Sequence, residues 1–504
     1  LVAVFGSAVV VVMGRSRASV GPGGKGFRRA RCLRAGRLAR RAALCEPCGM
    51  RSLLLVPLLL TLSACDRAAP PAPVAPAAAA APVEAPKAID PGPHFLEDDF
   101  EGAVKAAQAA GKVVFVDAWA PWCHTCLSMQ RDVLSKPALA AYADRVVFVA
   151  VDTDRPENAA FLSRFSVKLW PTFFAIGSDG ERVLGVHPGS MDLQETTAFL
   201  DDAIRVAHAA AVEGPERALL EAHAALGRAD PTTAIAKYTE ASAVPWPRRT
   251  EAIMGAMRVL STTKDYSSCV RFGLSLLRAV DRGGAPGDLA GSVLSCAEKL
   301  DDKKVLAETL PVLRARFEEL VNNPPAGSAV DDKADVLATL ADIEESLGNA
   351  DAVKAAHVTR LALLEADAAA ATTPKQAQVH DYARLNSLMA LGRGVEAVAL
   401  FQQRMKELPD DYEPAARLAS TLFKLERMPE ADIAVEKAIA LSYGTRRLRY
   451  RLLQADIAAK LNDVGEERAA LQAIVDENAK LPPALADATI AGTATTRLAA
   501  LPQP

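Results

Sequence analysis

Two cysteines spaced by two residues, Cys123-His124-Thr125-Cys126, follow closely on the apolar run Val113-Val114-Phe115-Val116-Asp117-Ala118-Trp119. No other feature of the chain constrains its fold as tightly. The run has strand character. A strand that hands a Cys-x-x-Cys pair to a helix start leaves the first thiol at the positive end of the helix dipole, which favours the thiolate. The pair therefore reads as a dithiol/disulfide redox centre, with the Cys123–Cys126 disulfide as the redox group and no separate cofactor. Two blander readings compete with it. Half a zinc site would need two more ligands, and no second pair or histidine cluster follows residue 65, so no metal is expected. A structural staple would leave the lone acid Asp117 and the motif Trp170-Pro171-Thr172 unexplained.

The flanking sequence fixes the expected compartment. The whole chain of 504 residues carries a formal charge of −3, but residues 1–49 hold ten Lys/Arg against one Glu, and without residues 1–64 the rest carries −13. An acidic body gives no support for nucleic-acid binding. Met50 is a better start than Leu1, so residues 1–49 are expected to be upstream sequence outside the translated protein. Met50-Arg51 then opens a leucine-rich run from Ser52 to Leu62 that is too short to span a bilayer. Leu62-Ser63-Ala64-Cys65 resembles the lipobox of bacterial lipoproteins, which implies cleavage before Cys65 and lipidation of that cysteine. An ordinary cleaved signal peptide is the alternative, and both imply export. Asp66 favours the inner membrane over the outer. Residues 65–91 read as a Pro/Ala tether, with six prolines between Pro70 and Pro86, too poor in apolar surface to fold.

Residues 92–208 alternate between helix and strand patterns. A helix is expected over Phe100–Ala110, a strand over Val113–Val116, a helix from Cys123 to about Val133, and a short helical piece over Pro137–Tyr142. A buried strand follows at Val146–Val151, a helix at Glu157–Phe165, strands at Thr172–Ile176 and Arg182–Val186 joined by Ser178-Asp179-Gly180, and a closing helix from Met191 to His208. This order, with Trp122-Cys-x-x-Cys126, Asp117 and Trp170-Pro171-Thr172, resembles the thioredoxin fold. The layout Gly111-Lys112, Asp117, Trp119-Ala120-Pro121-Trp122-Cys123 and Ser135-Lys136-Pro137 is similar to the C-terminal domain of DsbD-type periplasmic reductases. The resemblance implies that Cys123 is an exposed nucleophile and that Cys126 resolves the mixed disulfide. It also implies that Asp117 beneath Cys126 acts as a proton acceptor of raised pKa, and that Pro171 is a cis-proline facing Cys123. Trp122 would shield the disulfide, and Trp170 and Thr172 would contact substrate. His124 and Thr125 depart from the Gly-Pro of thioredoxin. A protonated His124 would make the couple more oxidising; an exposed His124 would only adjust local hydration. The inserted pair thus points toward an oxidant or isomerase, while the domain resemblance points toward a reductant.

From residue 210 to 504 the β-branched runs end and helical periodicity takes over. Leu226-Gly227 precedes Ala234, Tyr238 and Ala241; Leu391-Gly392 precedes Ala397 and Phe401; Ala431 lies thirty-four residues after Ala397. Small residues at that period resemble degenerate tetratricopeptide repeats, which implies an all-α solenoid. Cys269 and Cys296 fall on neighbouring helices of this region. They stand as candidates for a structural disulfide, with two buried free thiols as the alternative. His94, His187, His208, His223, His357 and His380 show no ligand spacing and are read as surface or packing residues.

Two functions follow as expectations. The first is a lipid-anchored, periplasm-facing thiol–disulfide oxidoreductase of reductase or isomerase type. It would act on protein disulfides, draw on a membrane electron donor and dock protein or peptide clients on its repeats. The second is an envelope scaffold whose repeats carry the function and whose redox head is regulatory or vestigial.

Overall fold

A computed structural model of the chain describes residues 92–208 and 211–502. Residues 1–64, Cys65 and the tether lie outside the described residues. Five strands form one sheet: β1 (Phe95–Glu97), β2 (Val113–Trp119), β3 (Val146–Asp152), β4 (Thr172–Ile176) and β5 (Val183–Pro188). Their order is β1-β3-β2-β4-β5. β2 lies parallel to β3 and antiparallel to β4, so it is central and apolar on both faces. Val114, Val116 and Ala118 pack on one face against helix α1 (Phe100–Ala110) through Phe100, Ala103 and Ala107. Val113 and Phe115 pack on the other, with Met129, Val133, Phe173 and Phe199. Alternation along the strand places Asp117 on the face of Phe115. β1 is not foreseen in the sequence. Three residues are too few to show a period, and the strand forms by pairing with Phe148–Ala150.

Local signals set the helices. Asp99 caps α1 by accepting the Gly102 amide at 2.8 Å, and Gly111 ends it at φ +65°. Helix α2 (His124–Met129) continues as a π-helical turn over Gln130–Leu134, and Pro137 starts the short α3 (Pro137–Ala140). Helix α4 (Ala159–Arg164) and the long α5 (Leu193–His208) complete the head.

The rest of the chain, from Gly214 to Ala500, is helical hairpins packed side by side. The repeat-motif residues are buried: Ala234, Tyr238 and Ala241 in one hairpin cluster, Ala397, Phe401, Ala431 and Ala438 in another, with the alanines at the helix crossings. Gly348 and Gly392 sit at φ +78° and +71° in the turns after their helices. Cys269 and Cys296 join adjacent helices, with sulfurs 2.07 Å apart and Cα atoms 6.2 Å apart. The chain thus combines a thioredoxin-like α/β domain with an all-α helical-repeat domain.

Head and repeats pack as one unit. The edge strand β5 is covered by the helix Arg249–Thr262 and the residue that caps it. Glu251 accepts the Val186 amide at 2.8 Å, and Arg248 donates to the Leu184 carbonyl at 2.9 Å. Burial opposes the charge on Glu251. Arg248 at 2.8 Å and His223 at 3.2 Å outweigh it and hold the carboxyl well below the usual range. A paired and hydrogen-bonded buried acid thereby closes a sheet edge that would otherwise present open backbone groups.

Candidate redox site

β2 ends at Trp119, and the turn through Trp122 delivers Cys123 to the N-cap of α2. The Cys123 sulfur accepts the Cys126 amide at 3.0 Å and is bonded to the Cys126 sulfur at 2.04 Å. Ala120, Trp119, Trp122 and Trp170 pack around the pair. Cys123, expected to be exposed, is 1% exposed. The tryptophans of the head enclose it, and the repeat domain closes over this end of the head. Arg417 donates to the Trp122 carbonyl at 3.3 Å, and the Arg446 guanidinium stands 4.0 Å from the centre of the Trp122 ring. The indole of Trp122 donates to Asp154 at 2.6 Å.

The Trp170–Pro171 peptide is cis. The Trp170 ring centre lies 5.2 Å from that of Trp122, and its indole donates to Thr153 at 2.7 Å. Thr172, expected to contact substrate, donates its hydroxyl to the Leu169 carbonyl at 2.6 Å, and its backbone lies in register between Ala118 and Pro188. It is an enclosed sheet residue. Thr125 instead borders a cavity of about 240 Å³ shared with Met129, Met191 and Asp331.

Asp117 lies beneath the helix that carries Cys126. Its Oδ2 accepts from Gln130 Nε2 at 3.1 Å, and the backbone N–H of the same Gln130 donates to the Cys126 carbonyl. Oδ1 is buried without a partner. Burial pushes the Asp117 carboxyl up to about 7, against the opposing Gln130 bond. The group can therefore hold or release a proton near neutral pH, as a proton acceptor for a buried thiol must.

His124 is neither exposed nor alone. Its Nε2 lies 3.4 Å from Asp335 Oδ2 and 3.7 Å from Asp331 Oδ1, both on the repeat helix Val330–Ser346. Burial works against the imidazolium, but the two carboxylates outweigh it and push His124 up to about 9. His380, read as a surface or packing residue, is fully buried between Asp331, at 3.7 Å, and Asp367, at 2.9 Å. Arg131 of the head reaches the same Asp367 at 2.7 Å. Nothing in the sequence could tie Asp331, Asp335 or His380 to His124, because more than 200 residues separate them. Among the described residues no group of three or more potential metal ligands includes Cys123 or Cys126.

A mixed sheet with a Cys-x-x-Cys disulfide at the end of its central strand, a cis-proline beside it and a buried acid beneath it defines a dithiol/disulfide protein of thioredoxin type. The family profile described as Thioredoxin-like matches residues 96–176. The chain is 33% identical over 105 residues to a thioredoxin H-type of Oryza sativa subsp. indica, spanning 20% of this chain and 78% of that protein. It is 32% identical over 106 residues to the thiol:disulfide interchange protein DsbD of Pseudomonas fluorescens, spanning 20% of this chain and 18% of that one. The chain belongs to the thioredoxin-like family, and at that general level it is a thiol–disulfide oxidoreductase. Among solved structures, a tetratricopeptide repeat protein from Parabacteroides merdae matches 56% of this chain and 97% of its own at 12% identity, with a TM-score of 0.37. That score carries no weight by itself; the repeat architecture rests on the packing of the hairpins.

Proposed function

We propose that this protein is a lipid-anchored, periplasm-facing oxidoreductase that exchanges electrons with protein disulfides, and that its repeats dock the clients. The observation that carries the reading is the bonded Cys123–Cys126 pair placed above a buried, partly unpartnered Asp117. In the reducing direction the Cys123 thiolate attacks a substrate disulfide. One substrate thiolate leaves and takes a proton from solvent. Cys126 then loses its proton to Asp117, attacks the Cys123 sulfur and expels the second substrate thiolate, which takes up a proton while Asp117 returns its own to solvent. The substrate gains two electrons and two protons, and the oxidised pair is reset by a dithiol donor at the membrane. Trp170 and Pro171 flank the pair and would receive the substrate chain. Anchoring through Cys65 at the inner membrane completes the proposal. It draws on the lipobox-like Leu62-Ser63-Ala64-Cys65 and on the likeness to DsbD. Among the described residues no helix is long and apolar enough to cross a membrane.

A second reading, a scaffold with a regulatory head, draws on one observation: Arg417 and Arg446 of the repeats lie on Trp122, and Trp122 is only 7% exposed. One experiment separates the two. A Cys126→Ser variant expressed in its host should trap mixed disulfides through Cys123, and trapped client proteins would support the oxidoreductase. Absence of any trapped protein, with the wild type unable to reduce insulin in dithiothreitol, would sink it. In the same cells Cys65→Ala should leave the membrane fraction; unchanged membrane association would count against the anchor.

A further inference from the structure

The sequence leaves the redox centre pulled two ways, by a histidine that favours an oxidant and a frame that favours a reductant. We infer that Asp331 and Asp335 of the repeat domain cancel the charge of His124 beside the cysteine pair, so that the repeats hold the centre at a reductant's potential. The inference rests on the redox reading above and names what regulates that same site.

The geometry carries it. His124 follows Cys123 directly, and its Nε2 meets one oxygen of each carboxylate, at 3.4 and 3.7 Å. Asp331 is 2% exposed, and neither of its oxygens makes a well-directed hydrogen bond. Its partners are therefore the charges around it. Besides His124 these are His380, whose Nδ1 is 3.7 Å away but whose Nε2 is held by Asp367. Asp335 also meets Arg360 Nη2 at 3.4 Å. Two more acids lie near this pair without a cation of their own: Asp332, which accepts from Ser190 and the Ala329 amide, and Asp288; burial and the neighbouring carboxylates push them up to about 7 and about 8. Farther along the repeats the charges are paired. Asp381 is bound by Arg404 at 2.6 Å, and Glu413 by Arg417 at 2.8 Å, while Arg417 stacks on Tyr382 at 4.1 Å. The charges acting on His124 itself are two carboxylates and one guanidinium, those of Asp331, Asp335 and Arg360. His124, Asp331 and Asp335 place their polar atoms within 4.8 Å of one another.

The consequence for Cys123 has a definite sign. A lone imidazolium one residue away would lower the thiol pKa, stabilise the reduced form and make the couple more oxidising. With both acids in place, His124 stays charged and neutralised across pH 5 to 8, since its pKa stands near 9. Asp331 and Asp335 are positioning residues in this scheme: they act through His124 and do not touch the sulfurs.

The test uses the full chain and two readouts, the ultraviolet absorbance of the Cys123 thiolate against pH and the equilibrium with glutathione. The Asp331→Asn/Asp335→Asn variant should have a lower Cys123 pKa and an equilibrium constant shifted about tenfold toward the reduced protein, the equivalent of one pKa unit. It should also gain an inflection between pH 5 and 8 as His124 titrates there. Asp335→Asn alone should move both readouts the same way by less. Its side chain is 46% exposed, so this variant keeps the test open if the double variant misfolds. His124→Gln should move them the opposite way, because it leaves the carboxylates uncompensated. A purely structural role would lower thermal midpoints without opposed shifts in potential. If all variants exchange with glutathione as the wild type does, or the double variant becomes more reducing, the compensation is wrong. If the wild type itself exchanges with neither glutathione nor insulin, the redox reading has failed and this inference with it.

Discussion

The head and the repeat domain each hold a disulfide, and both are buried, but their surroundings differ. Cys123 and Cys126 lie three residues apart at a helix start, with Asp117 below, His124 between them and two tryptophans against them. Cys269 and Cys296 lie 27 residues apart on two helices, packed among Ile253, Met257, Val293 and Leu294. The first pair has titratable neighbours that can move protons or set a potential. The second lies in an apolar cluster between helices. Burial alone therefore does not mark a disulfide as structural; the chemistry within reach of the sulfurs does.

The largest expected effect separates the pairs outright. Cys123→Ser should abolish insulin reduction by the full chain. Replacing Cys269 and Cys296 together by Ala should leave the rate per folded molecule intact and lower stability to urea by about 2–4 kcal/mol. If the second variant also loses catalysis, the contrast between a reactive and a structural pair is broken.

Asp117→Asn should come next, and its two effects have opposite signs. The folded protein favours the neutral carboxyl, so stability is highest below the ordinary carboxylate range and falls as pH rises through about 7. Asn cannot ionise and removes that fall. The variant should be more stable than its parent above neutrality, by on the order of 2 kcal/mol, and level with it near pH 4. It should also release mixed disulfides more slowly. A parallel pH–stability curve would show that Asp117 ionises in the folded protein as freely as in the unfolded chain.

The smallest effect concerns the cover. Arg417→Ala with Arg446→Ala loosens two contacts on Trp122. Reduction of a protein disulfide should quicken about fivefold, the factor that roughly 1 kcal/mol represents, while a small aromatic disulfide reports little change. Equal rates on the protein substrate would mean that the repeats open freely without this variant.

Much of the head was legible because its signals are local. The run from Val113 to Trp119, the Cys-x-x-Cys step into α2 and the Ser178-Asp179-Gly180 turn each depend on residues a few positions apart. β1 escaped because Phe95–Glu97 carries no period of its own. The enclosure of Thr172 is not legible in its motif, because motif membership says nothing about which residues a sheet encloses. The crossing alanines of the repeats were readable from spacing, since only small side chains let two helices approach closely.

The sequence by itself determined the kind of chemistry: two thiols at the end of an apolar strand, an acid inside that strand and a cis-proline motif, all arranged by short-range backbone rules. Only the tertiary structure decided how that chemistry is housed. It brings Asp331 and Asp335 to His124 across more than 200 residues, lays Arg417 and Arg446 on Trp122, and buries the sulfur expected to be exposed. The physical reason is that a side chain's charge and access depend on what packs against it, and in this protein part of the packing comes from another domain.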